Sequence, residues 1–319
     1  MVATTNTSVT ALVAALRAGD RRSLARTLSV LESEGQPVER LCRAMQAHLN
    51  GVGVVGFTGP PGAGKSTLVN ALIKHWRDAN KRIGVIAVDP SSPVSGGAIL
   101  GDRVRMSAAL DDEGVFVRSL ASRGHLGGLT PGAARAIDAF DVAGYDLVLL
   151  ETVGTGQNEI DIASVADVGV VIAAPGLGDG VQAMKSGLLE VADILVVNKS
   201  DRADAAETAQ QLHAAVSLRH GLGRSPPVVS TTAVTGLGVA ELGTCIDGEL
   251  GRVLRDVAPS ERRLKRGRYI VERSAIGALQ RALRDDHEVE VRALIGDVLS
   301  GRLTSGEAAA RLLARSGLR

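Results

Sequence analysis

Apolar positions along the chain change their spacing twice. From Val9 to about Asn50 they recur at intervals of three and four, with Leu12 and Leu16 followed by Leu24, Leu28 and Leu31 and arginines between them. That is the period of helices burying one face. Gly19-Asp20 and Gly35-Gln36-Pro37 interrupt the pattern, so a prefix of three helices is expected. Short unbroken apolar runs then replace it. Val54 onward, Arg82 to Asp89, Tyr145 to Glu151, Asp167 to Ala174, Asp193 to Asn198 and Pro227 to Ser230 each predict a buried strand, and helix-length segments separate them. Strand, helix, strand in that order means right-handed parallel crossovers, hence an α/β fold with a doubly wound, mainly parallel sheet. Past Gly251 the helical period returns, with Ile276, Leu279 and Leu283 on one face, a further stretch from Val289 to Leu299, and Ser305-Gly306-Glu307 opening a last helix to about Arg315. Three regions follow: a helical segment over 1–50, a nucleotide domain over 51–250 and a helical extension over 251–319. The prefix is equally open to two roles, a cap over one sheet edge or a partner-binding element. The charge run Glu261 to Arg268, ERRLKRGR, is expected to be a solvated helix face.

The first strand opens the chemistry. Gly59-Pro60-Pro61-Gly62-Ala63-Gly64-Lys65-Ser66, with Thr67 behind it, fits the phosphate loop GxxxxGK[ST] at every fixed position. Glycines let successive backbone N–H groups turn toward an anion, and the helix that follows adds its positive end. Lys65 can reach the β- and γ-phosphates, and the Ser66 hydroxyl can ligate Mg²⁺. Asp89 and Glu151 each stand where an apolar strand leaves the sheet beside that loop, as oxygen ligands for Mg²⁺ directly or through water. Gly154 lets its N–H approach a γ-phosphate, a contact present with a nucleoside triphosphate and lost with the diphosphate.

The second signal is Asn198-Lys199-Ser200-Asp201, an NKxD element directly behind an apolar strand. The Asp201 carboxylate can accept from the ring N–H and the exocyclic amine of guanine. Adenine offers no donor there, so ATP leaves a carboxylate facing a lone pair, at a cost of about 1 to 3 kcal/mol. Thr232-Ala233-Val234, followed by Gly236 and Gly238, matches the segment whose backbone N–H reads the guanine oxygen. His125 sits in a glycine-rich stretch with no second histidine at ligand spacing, so metal ligation there is disfavoured.

Composition narrows the setting. Lys and Arg number 36 against 35 Asp and Glu, so no global charge favours nucleic acid or a membrane surface. The two cysteines, Cys42 and Cys245, point to a reducing, cytoplasmic setting rather than a disulfide framework. The longest apolar run, near Val168 to Ala174, is too short to span a bilayer. Aromatics are 2% of the chain, leaving Val, Leu, Ile and Ala to build the core.

Longer strings carry a family resemblance. VDPSSPVSGGAILGDRVRM (Val88 to Met106), RSLASRGHLGGL (Arg118 to Leu129), ETVGTGQNE (Glu151 to Glu159) and PGLGDGVQAMKSGLLEVAD (Pro175 to Asp193) resemble the MeaB/ArgK family, G-protein chaperones of coenzyme-B12-dependent acyl-CoA mutases. The resemblance implies GTP/GDP and Mg²⁺ as ligands, a homodimer and association with a mutase. It also implies gated delivery of adenosylcobalamin from an adenosyltransferase and expulsion of damaged cofactor, the cobalamin being handled through the partner. It places Asp102 and Arg105 near Mg²⁺ and the phosphates, and makes Pro175 to Lys185, with Asp179, Gln182 and Lys185, a switch that couples nucleotide state to the mutase. Gln157 is the nearest counterpart of a water-positioning glutamine. Catalysis then falls to Lys65, Gln157 and Arg105, slow alone and faster with the mutase bound. One departure is Gly178-Asp179-Gly180-Val181-Gln182, where the family carries an acid in place of Gly180. A nickel-delivery GTPase of the same division is the main alternative, but it normally shows a His-rich tract or a Cys/His cluster. A transport-associated kinase or ATPase is opposed by Asp201.

Overall fold

A strand buried on both faces has no polar side to show, and that is how this sheet is built. Every residue of β1 (Gly53–Thr58), β4 (Leu147–Thr152) and β5 (Val168–Ala173) is buried. With β2 (Ile83–Asp89), β3 (Val115–Ala121), β6 (Ile194–Asn198) and β7 (Val228–Thr231) they form one sheet of order β3-β2-β4-β1-β5-β6-β7, every neighbouring pair parallel. The computed structural model describes residues 6–33, 35–89, 112–121, 129–152, 161–176, 188–217, 225–285 and 288–315. The chain divides into two compact units, Met1–Gly267 and Arg268–Arg319, and the sheet belongs to the first.

Helices cover both faces of the sheet. Val168, Val170 and Ile172 of β5 pack with Leu68, Leu72 and Trp76 of α4 (Lys65–Asp78, numbered after the three prefix helices) and with Leu242 and Ile246 of the helix Val239–Asp256. Val171 and Ala173 pack on the opposite side with Leu212 and Val216 of the helix Ala205–Ser217. The alternation is the two-residue period of a strand. Helix Val239–Asp256 runs through position 251, so the first unit extends beyond that point.

One device sets three of the strand entries. Asp146, Asp167 and Asp193 stand just before β4, β5 and β6, and each closes the same ring with its neighbour. Asp146 N–H donates to Arg82 O at 2.9 Å while its carboxylate accepts from Arg82 N–H at 2.7 Å. Asp167 does the same with Val54, at 2.9 Å both ways. Asp193 repeats it with Gly169 at 2.9 and 2.7 Å. At the end of a ladder a strand N–H has no strand partner, and a short carboxylate one residue ahead supplies the acceptor.

The prefix forms α1 (Asn6–Arg17), α2 (Arg21–Leu31) and α3 (Gln36–Met45), packed on the helix α5 (Pro131–Val142). Asp20 caps α2 by accepting from Ser23 N–H at 2.8 Å. The strand β3 was absent from the sequence expectation. Its side chains are a mixture of buried and half-buried, with the half-buried pair Arg118-Ser119 in the middle, and it is a sheet edge. Helix α2 covers that edge: Arg21 donates to Glu113 O at 2.7 Å and Val115 O at 3.0 Å, and Arg118 pairs with Glu32.

The charge run also departs from expectation. On the helix Pro259–Asp285, Arg262 and Arg266 are 5% and 3% exposed rather than solvated. Arg262 donates to Asp167 Oδ2 at 3.0 Å and to Gly51 O at 2.8 Å, Lys265 to Ala166 O at 3.1 Å, and Arg266 lies 3.8 Å from Asp167 Oδ1. Burial holds the Lys265 ammonium below its ordinary pKa, with Asp167 and Asp193 opposing. Residues 262–266, within the first unit, are thereby docked at the entries of β1 and β5. In the second unit, Thr304 and Glu307 form a reciprocal cap at the start of the last helix, Ser305–Arg315.

Candidate nucleotide site

The strand order reverses at β1, with β4 on one side and β5 on the other, which is where doubly wound sheets bind ligands. The loop Gly59–Gly64 lies at that point, between the end of β1 and the start of α4. Two of its glycines are obligatory. Gly59 has φ +142° and a Cβ there would lie 2.1 Å from Ile172 O; Gly64 has φ +87° and its Cβ would lie 2.5 Å from Asn198 Nδ2. Gly64 is the N-cap of α4 and no side chain caps that terminus, so its first N–H groups are left for an anion. Ala63 is buried, while Pro60 is half-buried and Pro61 and Gly62 are exposed on the outer side.

Lys65 and Ser66 are buried at the head of α4. Lys65 Nζ donates to Gly59 O at 2.7 Å and Pro60 O at 3.1 Å, folding the lysine along the loop that would hold phosphates. Ser66 Oγ donates to Glu151 Oε1 at 2.6 Å. The register explains that meeting: Glu151 is opposite Phe57 on β1 and shares its face with Leu147 and Leu149, the face that α4 covers. A serine hydroxyl beside a carboxylate is a hard oxygen donor set, the kind Mg²⁺ takes. Thr67 is exposed on the outer turn of the helix.

Asn198 joins the phosphate loop to the two loops behind β6 and β7. Its Nδ2 donates to Ala63 O at 2.8 Å, and its Oδ1 accepts from Thr231 Oγ1 at 3.2 Å and Ala233 N–H at 3.1 Å. Lys199 adopts φ +59°, uncommon for a side-chain-bearing residue, and its Nζ donates to Gly62 O at 2.6 Å. Asp201 is exposed at the rim. The turn after β7 closes through Thr232 N–H to Leu237 O at 2.9 Å, and Val234 is 87% exposed on it. Gly238 is held at φ +72° with Ser230 O 2.1 Å from where a Cβ would be.

The structure thus gathers Gly59 to Thr67, Glu151, Asn198, Lys199, Asp201 and Thr232 to Val234 at one end of the sheet. Asp89 ends β2 and only its backbone is described. Asp102, Arg105, Gly154, Gln157, Asp179, Gln182 and Lys185, with His125 and Gly180, lie outside the described residues. Thr231 and Ser200 join the site unforeseen. The hydroxyl-rich Ser230-Thr231-Thr232 stretch behind a strand was the signal for the first, while nothing in NKxD marks the third residue. Among the described residues no cluster of three or more His, Cys, Asp or Glu could hold a metal, and no helix is long and apolar enough to cross a membrane.

Comparison with known proteins agrees with this geometry. A Pyrococcus abyssi protein named as a GTPase is 40% identical over 296 residues, covering 92% of this chain and 85% of its own. The GTPase ArgK of Escherichia coli is 38% identical over 236 residues, 71% of each chain. The mouse protein named methylmalonic aciduria type A homolog, mitochondrial, is 40% identical over 194 residues, 59% of this chain and 46% of its own. A crystal structure described as an LAO/AO transport system kinase superposes with a TM-score of 0.71 at 24% identity over 96% of both chains, a likeness of fold. Residues 24–293 match the family described as methylmalonyl-CoA mutase-associated GTPase MeaB. With its phosphate loop and guanine-type NKxD element on a P-loop GTPase fold, the chain is a GTP-hydrolysing enzyme, and it belongs to the MeaB family of mutase-associated GTPases.

Proposed function

We propose that GTP hydrolysis on this chain gates adenosylcobalamin delivery to a B12-dependent acyl-CoA mutase, and protects or reactivates that mutase. The phosphates rest on Gly59 to Thr67, and Lys65 leaves the carbonyls of Gly59 and Pro60 for the β- and γ-phosphates. Ser66 and Glu151 hold Mg²⁺, with Asp89 and Asp102 as further acids; the bound ion supplies charge neutralisation at the phosphates. Asp201 accepts from the guanine N1–H and amine. Ala233 N–H is already donated to Asn198, which leaves the Val234 N–H of the same turn for the guanine oxygen. Arg105 and Gln157 complete catalysis by steadying charge and orienting water, Gly154 senses the γ-phosphate, and Asp179, Gln182 and Lys185 pass the state to the mutase.

The observation that carries this reading is the hydrogen-bonded tie from Ala63 through Asn198 to Thr231 and Ala233, which makes phosphate loop and base-reading loops one site on a chain whose family is named for a mutase. The apolar residues exposed on the last two helices, Ile295, Leu299 and Leu313, support a homodimer formed through residues 251–319. A reducing compartment, the cytoplasm, suits the two free cysteines. The adenosyltransferase enters as the source of cobalamin, not as a direct partner. Single-turnover GTP hydrolysis with and without methylmalonyl-CoA mutase tests the proposal: turnover rises at least about tenfold when the mutase is present, as when a partner completes a catalytic site. Equal rates sink it.

A further inference from the structure

The two loops that face a guanine leave the sheet side by side, and the ladder stops short of the groups that read the base. Asn198 and Thr231 are the last paired residues of β6 and β7, and Asp201 and Ala233 lie beyond them. The spacing between carboxylate and turn must still be set, because both have to meet one edge of one base. Three kinds of link cross between the loops. Ser200 N–H donates to Thr231 O at 3.0 Å, a bond any residue type could make. Asn198 Oδ1 gathers Thr231 Oγ1 and Ala233 N–H. The third is a pair of hydroxyls, Ser200 Oγ and Thr232 Oγ1, 2.9 Å apart.

We propose that Ser200 and Thr232 are positioning residues for guanine recognition, their hydroxyl pair setting the distance between the Asp201 carboxylate and the Ala233–Val234 backbone. The inference rests on the guanine reading of this site. Ser200 immediately precedes Asp201, and Thr232 stands two residues before Val234, whose N–H is left for the guanine oxygen, so a displacement of either is passed on through one or two peptide units. Thr232 is buried and Ser200 half-buried, so each satisfies the other away from bulk water. The phosphates are held separately, on Gly59 to Thr67. Loss of the pair therefore acts on base recognition and leaves phosphoryl transfer at saturation untouched.

The test uses the full chain carrying Ser200→Ala, Thr232→Val, both together, or Thr232→Ser, titrated with GDP and with ADP and assayed for GTP turnover. Either single substitution is expected to weaken GDP by about three- to tenfold, to raise KM for GTP by the same factor, and to leave kcat and the weak ADP affinity unchanged. The double variant matches the weaker single variant within about twofold, as coupled partners do, and Thr232→Ser matches the native chain. GDP affinity unchanged in both single variants overturns the proposal, and so does a multiplied loss in the double variant. A variant that loses GDP only in proportion to a lowered melting temperature of the nucleotide-free protein also overturns it. A native chain that fails to prefer GDP over ADP defeats the guanine reading itself, an outcome separable from failure of the positioning pair.

Discussion

Asp138 on α5 shows how position, not residue type, decides a carboxyl's chemistry. Burial pushes its pKa from the ordinary 3.8 up to about 6, with Arg266 pulling against that, Asp141 adding to it and Arg263 opposing. An acid whose folded pKa is raised holds its proton longer in the folded state. Its contribution is most favourable below pH about 4 and is lost as pH climbs toward 6, reaching a cost of about 3 kcal/mol at neutral pH. Asp138→Asn is therefore expected to match the native chain near pH 4 and to gain stability progressively to pH 7, in urea denaturation at each pH. Parallel stability curves contradict this. At the rim of the site, Asp201→Asn should weaken GDP by about ten- to a hundredfold while leaving ADP unchanged. The carboxamide should also admit xanthosine diphosphate, whose 2-oxo group accepts where guanine donates. Competition binding with the three nucleotides reads both effects, and undiminished GDP binding removes Asp201 from base recognition.

At the scale of elements, the aspartates ahead of β4, β5 and β6 do similar geometry with unequal stakes. Asp146 is a strand-entry acceptor at an exposed bond, whereas Asp167 is also the counter-charge of two buried arginines. Asp146→Ala should cost about 1 kcal/mol and Asp167→Ala about 3 to 5, because the latter leaves guanidinium charge buried without its partner. Equal losses in guanidinium denaturation would show that Arg262 and Arg266 find water or other partners. The same elements show what was legible in the chain. Strands buried on both faces announce themselves as unbroken apolar runs, and the phosphate loop and NKxD follow them at fixed spacing. The edge strand β3 carries Arg118 and Ser119 in its middle, and its cover, α2, is 89 residues away at the Arg118–Ser29 bond. By sequence Arg262 reads as one of a solvated run, because its partner Asp167 lies 95 residues earlier and no periodicity reports a partner that distant. Ser200 escaped for a related reason: its significance comes from Thr232, which only the β6–β7 pairing brings near.

Over the whole molecule, the order of strands places the chemistry. Because β1 sits between β4 and β5, the head of α4 behind it meets Glu151 from one neighbour, and the loop meets Ile172 from the other and Asn198 from the strand beyond. At the β3 edge, Arg21 of the prefix occupies the Glu113 and Val115 carbonyls, acceptors thereby withheld from pairing with another chain. Under the proposed function, the nucleotide held between Lys65 and Asp201 decides how tightly the chain holds a mutase. The direct measurement is the affinity for methylmalonyl-CoA mutase with the chain loaded first with GDP and then with a non-hydrolysable GTP analogue. The two affinities are expected to differ by about tenfold or more, a difference erased when Asp201→Asn prevents loading at the same nucleotide concentrations. Equal affinities in the two states, with both nucleotides demonstrably bound, would contradict it.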